Sequence, residues 1–392
     1  LTHVLDRLIR PRIEKTKKSV LLLGARQVGK STLTRALRPD VVINLADEAV
    51  HLGYAKDVDR FGREIRALTK HSTVVVDEVQ RIPSLLNTVQ ALMDEGVRHR
   101  FLLTGSSARK LKRGSANLLP GRILLEHLDP LTIWELGDAF DLERALTVGT
   151  LPGIYLDVES GVDVLDSYVT AYLREEIQPG SIIREIGTYA RFLDVAAVSS
   201  GDWINYSKLA SDSEIPKETI RRFFQTLEDT LLAFRIPSYA FKHPSRRVTQ
   251  RDRVLLFDVG VRNALLGLHH RPPAATEKGK LFEHWFILQC LYFIRAKRLP
   301  WRCCAYRTEA GAEVDLVIDM GPSLLAIECK LGRNVTPSQL GGLRSFASVA
   351  DKPVRSFVVF QGDRSQRFDQ GIEAIPYREF LLETLPGVVD AN

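Results

Sequence analysis

The chain has 392 residues, 45% of them hydrophobic and 26% charged, with a formal net charge of +6. That length exceeds one ordinary core and predicts two or three folded domains. No apolar run nears the roughly 20 residues of a membrane-spanning helix, and the basic stretch 1–18 lacks the apolar core of a secretory signal. The sequence therefore argues against membrane and secreted classes and predicts a cytoplasmic protein.

Cys290, Cys303, Cys304 and Cys329 form no C-x-x-C pair and have no histidine at zinc spacing, which predicts reduced structural thiols. Basic residues cluster at 7–18, 109–113, 242–253 and 295–302. Each cluster reads either as a solvated face or as a phosphate-contacting patch.

The first strand signal is Val20-Leu21-Leu22-Leu23. It leads into Gly24-Ala25-Arg26-Gln27-Val28-Gly29-Lys30-Ser31, and a helical pattern follows from Thr32. This is G-x-x-x-x-G-K-[ST] in its strand–loop–helix setting. The glycines let backbone N–H groups converge on a polyphosphate at a helix N-terminus. ATP is the expected ligand, held by residues 24–32. Lys30 is expected on the β- and γ-phosphates and Ser31 on Mg²⁺.

Further strands are expected at 41–45, 73–76, 101–104 and 122–125. The third strand signal ends in Asp77-Glu78. An acidic pair there suits a Walker B element, with Asp77 on Mg²⁺ and Glu78 on the attacking water. Five apolar strands alternating with helices predict a parallel sheet covered on both faces.

Residues 131–193 read as mostly helical, with Tyr168, Tyr172 and Leu173 at core spacing. Over 203–258 a short helix, a turn, a longer helix opened by Pro216 and two strand-like runs (234–241 and 254–257) predict a winged helix. In a DNA-binding version Lys217, Arg221, Arg222 and Gln225 face a groove, and Arg246 and Arg247 on the basic loop touch the backbone. Packing alone is the other reading of this module.

In the C-terminal third, Glu283 lies in an amphipathic helix signal. Asp315 ends Glu313-Val314-Asp315, and Glu328 and Lys330 alternate on the next strand. Residues two apart on a strand share a face. If the two strands pair, Asp315 joins Glu328 and Lys330, giving carboxylates for Mg²⁺ and a lysine for the reacting charge.

The order Walker A, Walker B, Gly105-Ser106-Ser107 and Pro120-Gly121-Arg122 resembles AAA+ ATPases. The resemblance implies Ser106 as a γ-phosphate sensor and Arg122 as a finger acting in trans, with oligomers compatible. Glu313-Val314-Asp315-Leu316-Val317 followed by Glu328-Cys329-Lys330 resembles the PD-(D/E)xK nuclease fold, where Glu283 and Gln339 fit two further positions. Over nearly its whole length the chain looks like prokaryotic AAA-type ATPases carrying such a C-terminal domain.

The expected fold is therefore α/β. A P-loop AAA+ domain occupies 1–130, a helical lid 131–195, a winged helix 196–270, and a restriction-endonuclease-like domain 271–392. The expected function is ATP hydrolysis, with DNA as partner and Mg²⁺-dependent cleavage by Asp315, Glu328 and Lys330. The alternative is a regulatory or toxin-like ATPase acting on protein partners with an inactive nuclease fold. A nucleotide kinase shares the P-loop, but the Asp77-Glu78 pair and the long C-terminal half argue against it.

Overall fold

The structure is a computed structural model that describes residues 5–57, 59–106, 121–172, 186–241 and 251–390. Strands that are apolar along their whole length need cover on both faces. The five N-terminal runs satisfy that need in one sheet. β1 (Ser19–Leu23), β2 (Val41–Asn44), β3 (Thr73–Asp77), β4 (Arg100–Gly105) and β5 (Ile123–His127) are parallel, in the order β2-β3-β4-β1-β5. Every residue of β1 is buried. Leu21, Leu23, Val74, Val76, Phe101 and Leu103 form one core with Leu85, Leu86, Val89 and Leu92 of the helix Leu85–Asp94.

Register decides where the chemistry lies. Leu23 is opposite Gly105 and Asn44 is opposite Asp77, so the polar ends of four strands reach one edge of the sheet. The fifth strand starts one residue later than the sequence suggests and runs on through Glu126 and His127. The sequence signal ends at Leu125. Glu126 is instead buried at 2% exposure and ion-paired with Arg12, which lets the strand continue.

The chain divides into two compact units, Leu1–Leu131 with Asp229–Leu232, and Thr132–Glu228 with Ala233–Asn392. Apart from Leu131 and Asp229–Leu232, the residues after 130 fall in the second unit. Within it, the helices Ile186–Val198, Tyr206–Ser213 and Lys217–Asp229 precede an antiparallel hairpin of β6 (Ala233–Ile236) and β7 (Arg253–Leu256). Ile220, Phe223, Phe224 and Leu227 are the buried stripe of the third helix, and Phe192 packs its ring 5.1 Å from Phe223 and 4.9 Å from Phe224. β6 ends well short of residue 241, because Pro237 has no N–H to give a ladder. Tyr168 is buried as expected, at 1% exposure. The Tyr172 side chain, Leu173 and residues 242–250 lie outside the described residues.

The second sheet is mixed. β8 (Arg302–Arg307), β9 (Glu313–Asp319) and β10 (Leu324–Lys330) form an antiparallel meander. β10, β11 (Val354–Phe360) and β13 (Ile372–Pro376) are parallel, and β12 (Gln366–Arg367) closes the edge antiparallel to β13. The helix around Glu283 spans Ala275–Lys297 and is buried on most sides, with Phe282, His284, Trp285, Phe286 and Ile287 all inside. It is a central helix rather than the amphipathic one expected.

One close approach fixes the helical part of this unit. Asp258 caps the helix Val259–Leu265, accepting from Val261 N at 3.1 Å and from Thr150 N at 2.8 Å. Burial pushes its carboxyl pKa up to about 6. Gly149 has φ +74°, and a Cβ there would lie 1.9 Å from Asp258 Oδ1. Gly149→Ala is expected to cost about 3 kcal/mol, read as a lower urea midpoint with an unchanged slope.

Candidate functional site

The loop between β1 and the helix Lys30–Ala36 builds the first site. Gly24 cannot carry a side chain, since a Cβ would meet Leu128 O at 2.3 Å and Val28 Cγ2 at 2.9 Å. Gln27 and Gly29 both have positive φ, which curls the loop over the helix start. Lys30 is 5% exposed and its Nζ donates to the carbonyls of Gly24 and Ala25, at 2.9 Å each. A polyphosphate seated on the loop offers that ammonium stronger, charged acceptors than two amide carbonyls.

Asp77 and Glu78 lie at the end of β3. Asp77 is 5% exposed and accepts a short hydrogen bond from the Thr104 hydroxyl. The same hydroxyl oxygen accepts from Glu78 N at 3.0 Å. Glu78 is left-handed, at φ +59°, a conformation that costs a non-glycine residue about 1–3 kcal/mol and persists only when its surroundings hold it. Its carboxylate accepts from Gln80 Nε2, which also donates to Ser106 Oγ at 3.1 Å.

Sequence reasoning singled out Asp77, Glu78 and Ser106, but missed Thr104 and Gln80, which tie them together. The available signal was position: Thr104 precedes Ser106 by two residues at the end of β4, and Gln80 follows Glu78 by two. Thr104→Val should keep the fold but remove a hydrogen bond to a charged group, worth about 1.5–3 kcal/mol. We expect ATP turnover to fall about tenfold or more in a steady-state phosphate-release assay.

Arg122 is 45% exposed and forms an ion pair with Asp94 of its own chain. Ser107 and Pro120, part of the same motif stretch, lie outside the described residues, as does the basic cluster 109–113. Ser31 and Asp77 fit the Mg²⁺ that AAA domains use with ATP. One is a hydroxyl at a helix start, and the other a buried carboxylate whose single hydroxyl partner leaves acceptor capacity.

The second site is the carboxylate cluster on the mixed sheet. β9 and β10 pair up to Leu316 and Ile327, and Asp315 and Glu328 are the next residues beyond on each strand. Cys329 N donates to Asp315 Oδ2 at 2.8 Å, so the two strands stay joined there. Lys330 Nζ lies 2.6 Å from Glu328 Oε1. Asp315 thus lies just past the ladder, joined to the Glu328–Lys330 strand end through its side chain.

Glu283 is held differently. Its carboxylate is ion-paired with Arg253 of β7, a residue sequence reasoning placed only in a basic run. Arg253 is 3% exposed, donates to Gly201 O at 2.6 Å and donates to the backbone carbonyl of Asp315 at 2.9 Å. Burial opposes its charge, yet Glu283 and Asp315 hold its pKa above the ordinary arginine value. Gln339 does not join the cluster. Its Oε1 accepts from Thr336 N at 2.9 Å as the cap of a short helical turn.

Glu283, Asp315 and Glu328 thus gather with Arg253 and Lys330, and the Glu313 carboxylate also acts on Arg253 and Glu328. Burial, then repulsion from Glu283 and Glu328, pushes the Asp315 carboxyl well above its usual range, and burial raises Glu328 despite Lys330. Glu328 Oε2 is buried without a hydrogen-bond partner. Glu283, Asp315 and Glu328 do not bring three ligand atoms within 4.8 Å of one another, as Asp166, His269 and His270 do. With Glu283 taken by Arg253, these residues as arranged do not make a three-carboxylate Mg²⁺ site.

Because the folded pKa of Asp315 is raised, its ionised form costs stability, and that cost vanishes only below the unfolded value of about 3.9. Asp315→Asn should therefore melt at higher temperature than the parent at neutral pH, with the gap shrinking as pH falls. Calorimetry across pH checks this.

On the helix Lys217–Asp229, Lys217, Arg221, Arg222 and Gln225 are exposed opposite the buried stripe. Arg221 lies 3.7 Å from Glu218 and stacks over Tyr206 at 4.8 Å. Arg246 and Arg247 lie outside the described residues.

Residues 16–137 match a family model described as an AAA domain. The N-terminal segment is an AAA-type ATPase domain. Residues 139–271 and 278–380 match two domains of unknown function, DUF8612 and DUF4143. Uncharacterized proteins of Mycobacterium tuberculosis and Mycobacterium bovis are each 28% identical over 371 residues, covering 92% of this chain and 80% of theirs.

Two solved structures are similar at lower levels. The replication initiator DnaA bound to AMPPCP and single-stranded DNA is 11% identical, with TM-score 0.26, over 56% of this chain and 86% of its own. A signal-transduction ATPase with a tetratricopeptide-repeat sensor from Pyrococcus horikoshii is 13% identical, with TM-score 0.26, over 76% of this chain and 47% of its own. Among the described residues no helix is long and apolar enough to cross a membrane.

Proposed function

We propose that the chain is an ATP-hydrolysing switch that acts on DNA, and that its C-terminal sheet is a nuclease-like scaffold without cleavage activity. The observation that carries the motor part is the Thr104 hydroxyl shared between Asp77 and Glu78 beside the Lys30 loop. In that arrangement Lys30 binds the β- and γ-phosphates, and Ser31 and Asp77 would hold Mg²⁺, which supplies charge neutralisation on the phosphate oxygens. Glu78 takes the proton of the attacking water, and Gln80 and Ser106 hold the Glu78 carboxylate in place.

The exposed Lys217, Arg221, Arg222 and Gln225 face supports DNA as the partner. Its test is ATP turnover at low salt with and without duplex DNA. DNA should stimulate turnover and lose that effect as salt rises. Lys217→Ala and Arg222→Ala should each weaken binding across sequences and reduce the salt slope by about 1. Turnover indifferent to DNA, with unchanged salt behaviour in both variants, would sink this reading.

A protein partner is the second reading. The intrahelical pairing of Arg221 with Glu218 favours it, since that guanidinium is already engaged. The internally paired Glu283 and Glu328 support the scaffold part in either case. Metal-dependent cleavage of linear, nicked or branched DNA, lost in Asp315→Asn, would overturn it.

A further inference from the structure

Apart from both sites, Asp166 on the helix Gly161–Ser167 meets His269 and His270 on the turn after the helix Val259–Leu265. Asp166 Oδ1 lies 2.9 Å from His269 Nε2, and Oδ2 lies 3.4 Å from His270 Nε2. One ligand atom from each of the three residues falls within 4.8 Å of the other two. The imidazole rings are 4.0 Å apart, centroid to centroid, and tilted by 41°.

His269 is the informative member. It is 1% exposed, yet neither Nδ1 nor Nε2 has a hydrogen-bond partner. The Asp166 carboxylate is within ion-pair distance of Nε2 and favours the charged ring, while Nδ1 has no partner. A buried imidazole is ordinarily satisfied through at least one nitrogen. An unpaired nitrogen beside a carboxylate oxygen, with a second imidazole at hand, is the pattern of atoms arranged around a common point.

The turn that presents the histidines is held independently of them. Leu266 N and Leu268 N both donate to Asn263 O, at 3.1 and 2.8 Å, and the Asn263 amide donates to the carbonyls of Leu146 and Thr147. Placement of His269 is thus a property of the fold rather than of the Asp166 contact. The Asp166 and His270 side chains are about half exposed, which leaves an entry path and room for a further ligand.

We propose that Asp166, His269 and His270 bind one divalent first-row transition ion of the zinc class. Two imidazoles and one carboxylate are a borderline donor set, which suits Zn²⁺, Co²⁺ or Ni²⁺ and disfavours Mg²⁺ and Ca²⁺, which prefer oxygen. Three protein ligands leave a fourth tetrahedral position for water on the exposed side. The bound ion joins the helix Gly161–Ser167 to the 269–270 turn, so occupancy stiffens the helical part of the second unit.

The experiment titrates the full-length, metal-stripped chain with Co²⁺, then displaces it with Zn²⁺, in excess Mg²⁺. One equivalent of Co²⁺ should bind with visible ligand-field bands that Zn²⁺ abolishes, and Zn²⁺ should raise the melting temperature. His270→Ala alters an exposed side chain, so its fold should survive, and it should bind at least about a hundredfold more weakly. Asp166→Asn should behave alike, while His270→Cys should bind with a thiolate absorption band. Asp77→Asn and Asp315→Asn should leave the bands unchanged. No Co²⁺ band in the parent, or bands that persist in both His270→Ala and Asp166→Asn, would overturn the proposal and leave an Asp–His ion pair.

Discussion

Lys30→Ala lowers ATP turnover by a factor of about 100 or more, with the first sheet still folded. Two contacts of Lys30 are with the backbone of its own loop. Its ammonium is buried against the carbonyls of Gly24 and Ala25, neutral acceptors that can relax toward water when it goes. The curvature of the loop comes from Gln27 and Gly29 at positive φ and from the Gly24–Leu128 approach, none of which involves the lysine.

The loss is therefore felt where charge develops on the transferring phosphoryl group. Glu78→Gln separates the two halves of that claim. It should keep nucleotide affinity, because the Lys30 loop is untouched, and lose turnover, because the proton acceptor is gone. Fluorescent-nucleotide binding and phosphate release, measured on both variants beside a thermal melt, make the comparison. Parent-like turnover in Lys30→Ala would mean that hydrolysis happens elsewhere in the chain.

The nucleotide site was legible in sequence because its parts are contiguous. Gly24 to Ser31 carries its own strand and helix, and Asp77-Glu78 ends a β-branched run, so local pattern and function coincide. Thr104 was hidden because its role depends on β4 lying beside β3, which is a matter of sheet order rather than of local sequence. The mixed sheet was partly legible. Strand alternation placed Glu328 with Lys330, and pairing of β9 with β10 places Asp315 at their level. Arg253 was not legible. It lies 30 residues from Glu283 and 62 from Asp315, in a run whose other basic residues suggested a solvated or DNA-contacting loop. Only the hairpin's packing turns it inward. Likewise the buried Glu126 extends β5 because Arg12, 114 residues earlier, neutralises it. In both cases a charge that reads as surface in one dimension is matched by a partner that only the fold supplies.

Arg253→Met is the change expected to cost most. The guanidinium is nearly as buried as any core residue and bonds three groups at once: the Glu283 carboxylate and the carbonyls of Gly201 and Asp315. Methionine fills most of the volume but provides no donor. Breaking a buried pair by removing one partner costs about 3–5 kcal/mol, because the other charge is left uncompensated. Glu283→Gln in the same background removes that stranded charge, so the double variant should recover part of the loss, and a double-mutant cycle in urea measures the coupling.

The same variant distinguishes a built-in cation from a metal site. In the parent, Glu283, Asp315 and Glu328 face Arg253 and Lys330, and the Glu313 carboxylate, itself paired with Arg307, acts on the same groups. Removing Arg253 takes one positive charge from this cluster, which favours a divalent cation there. Mg²⁺ should then raise the melting temperature of Arg253→Met by mass action while leaving that of the nucleotide-free parent unchanged. Equal stabilisation of parent and variant would show that Asp315 and Glu328 already bind the ion with Arg253 in place, and the scaffold reading of the C-terminal sheet would fall with it.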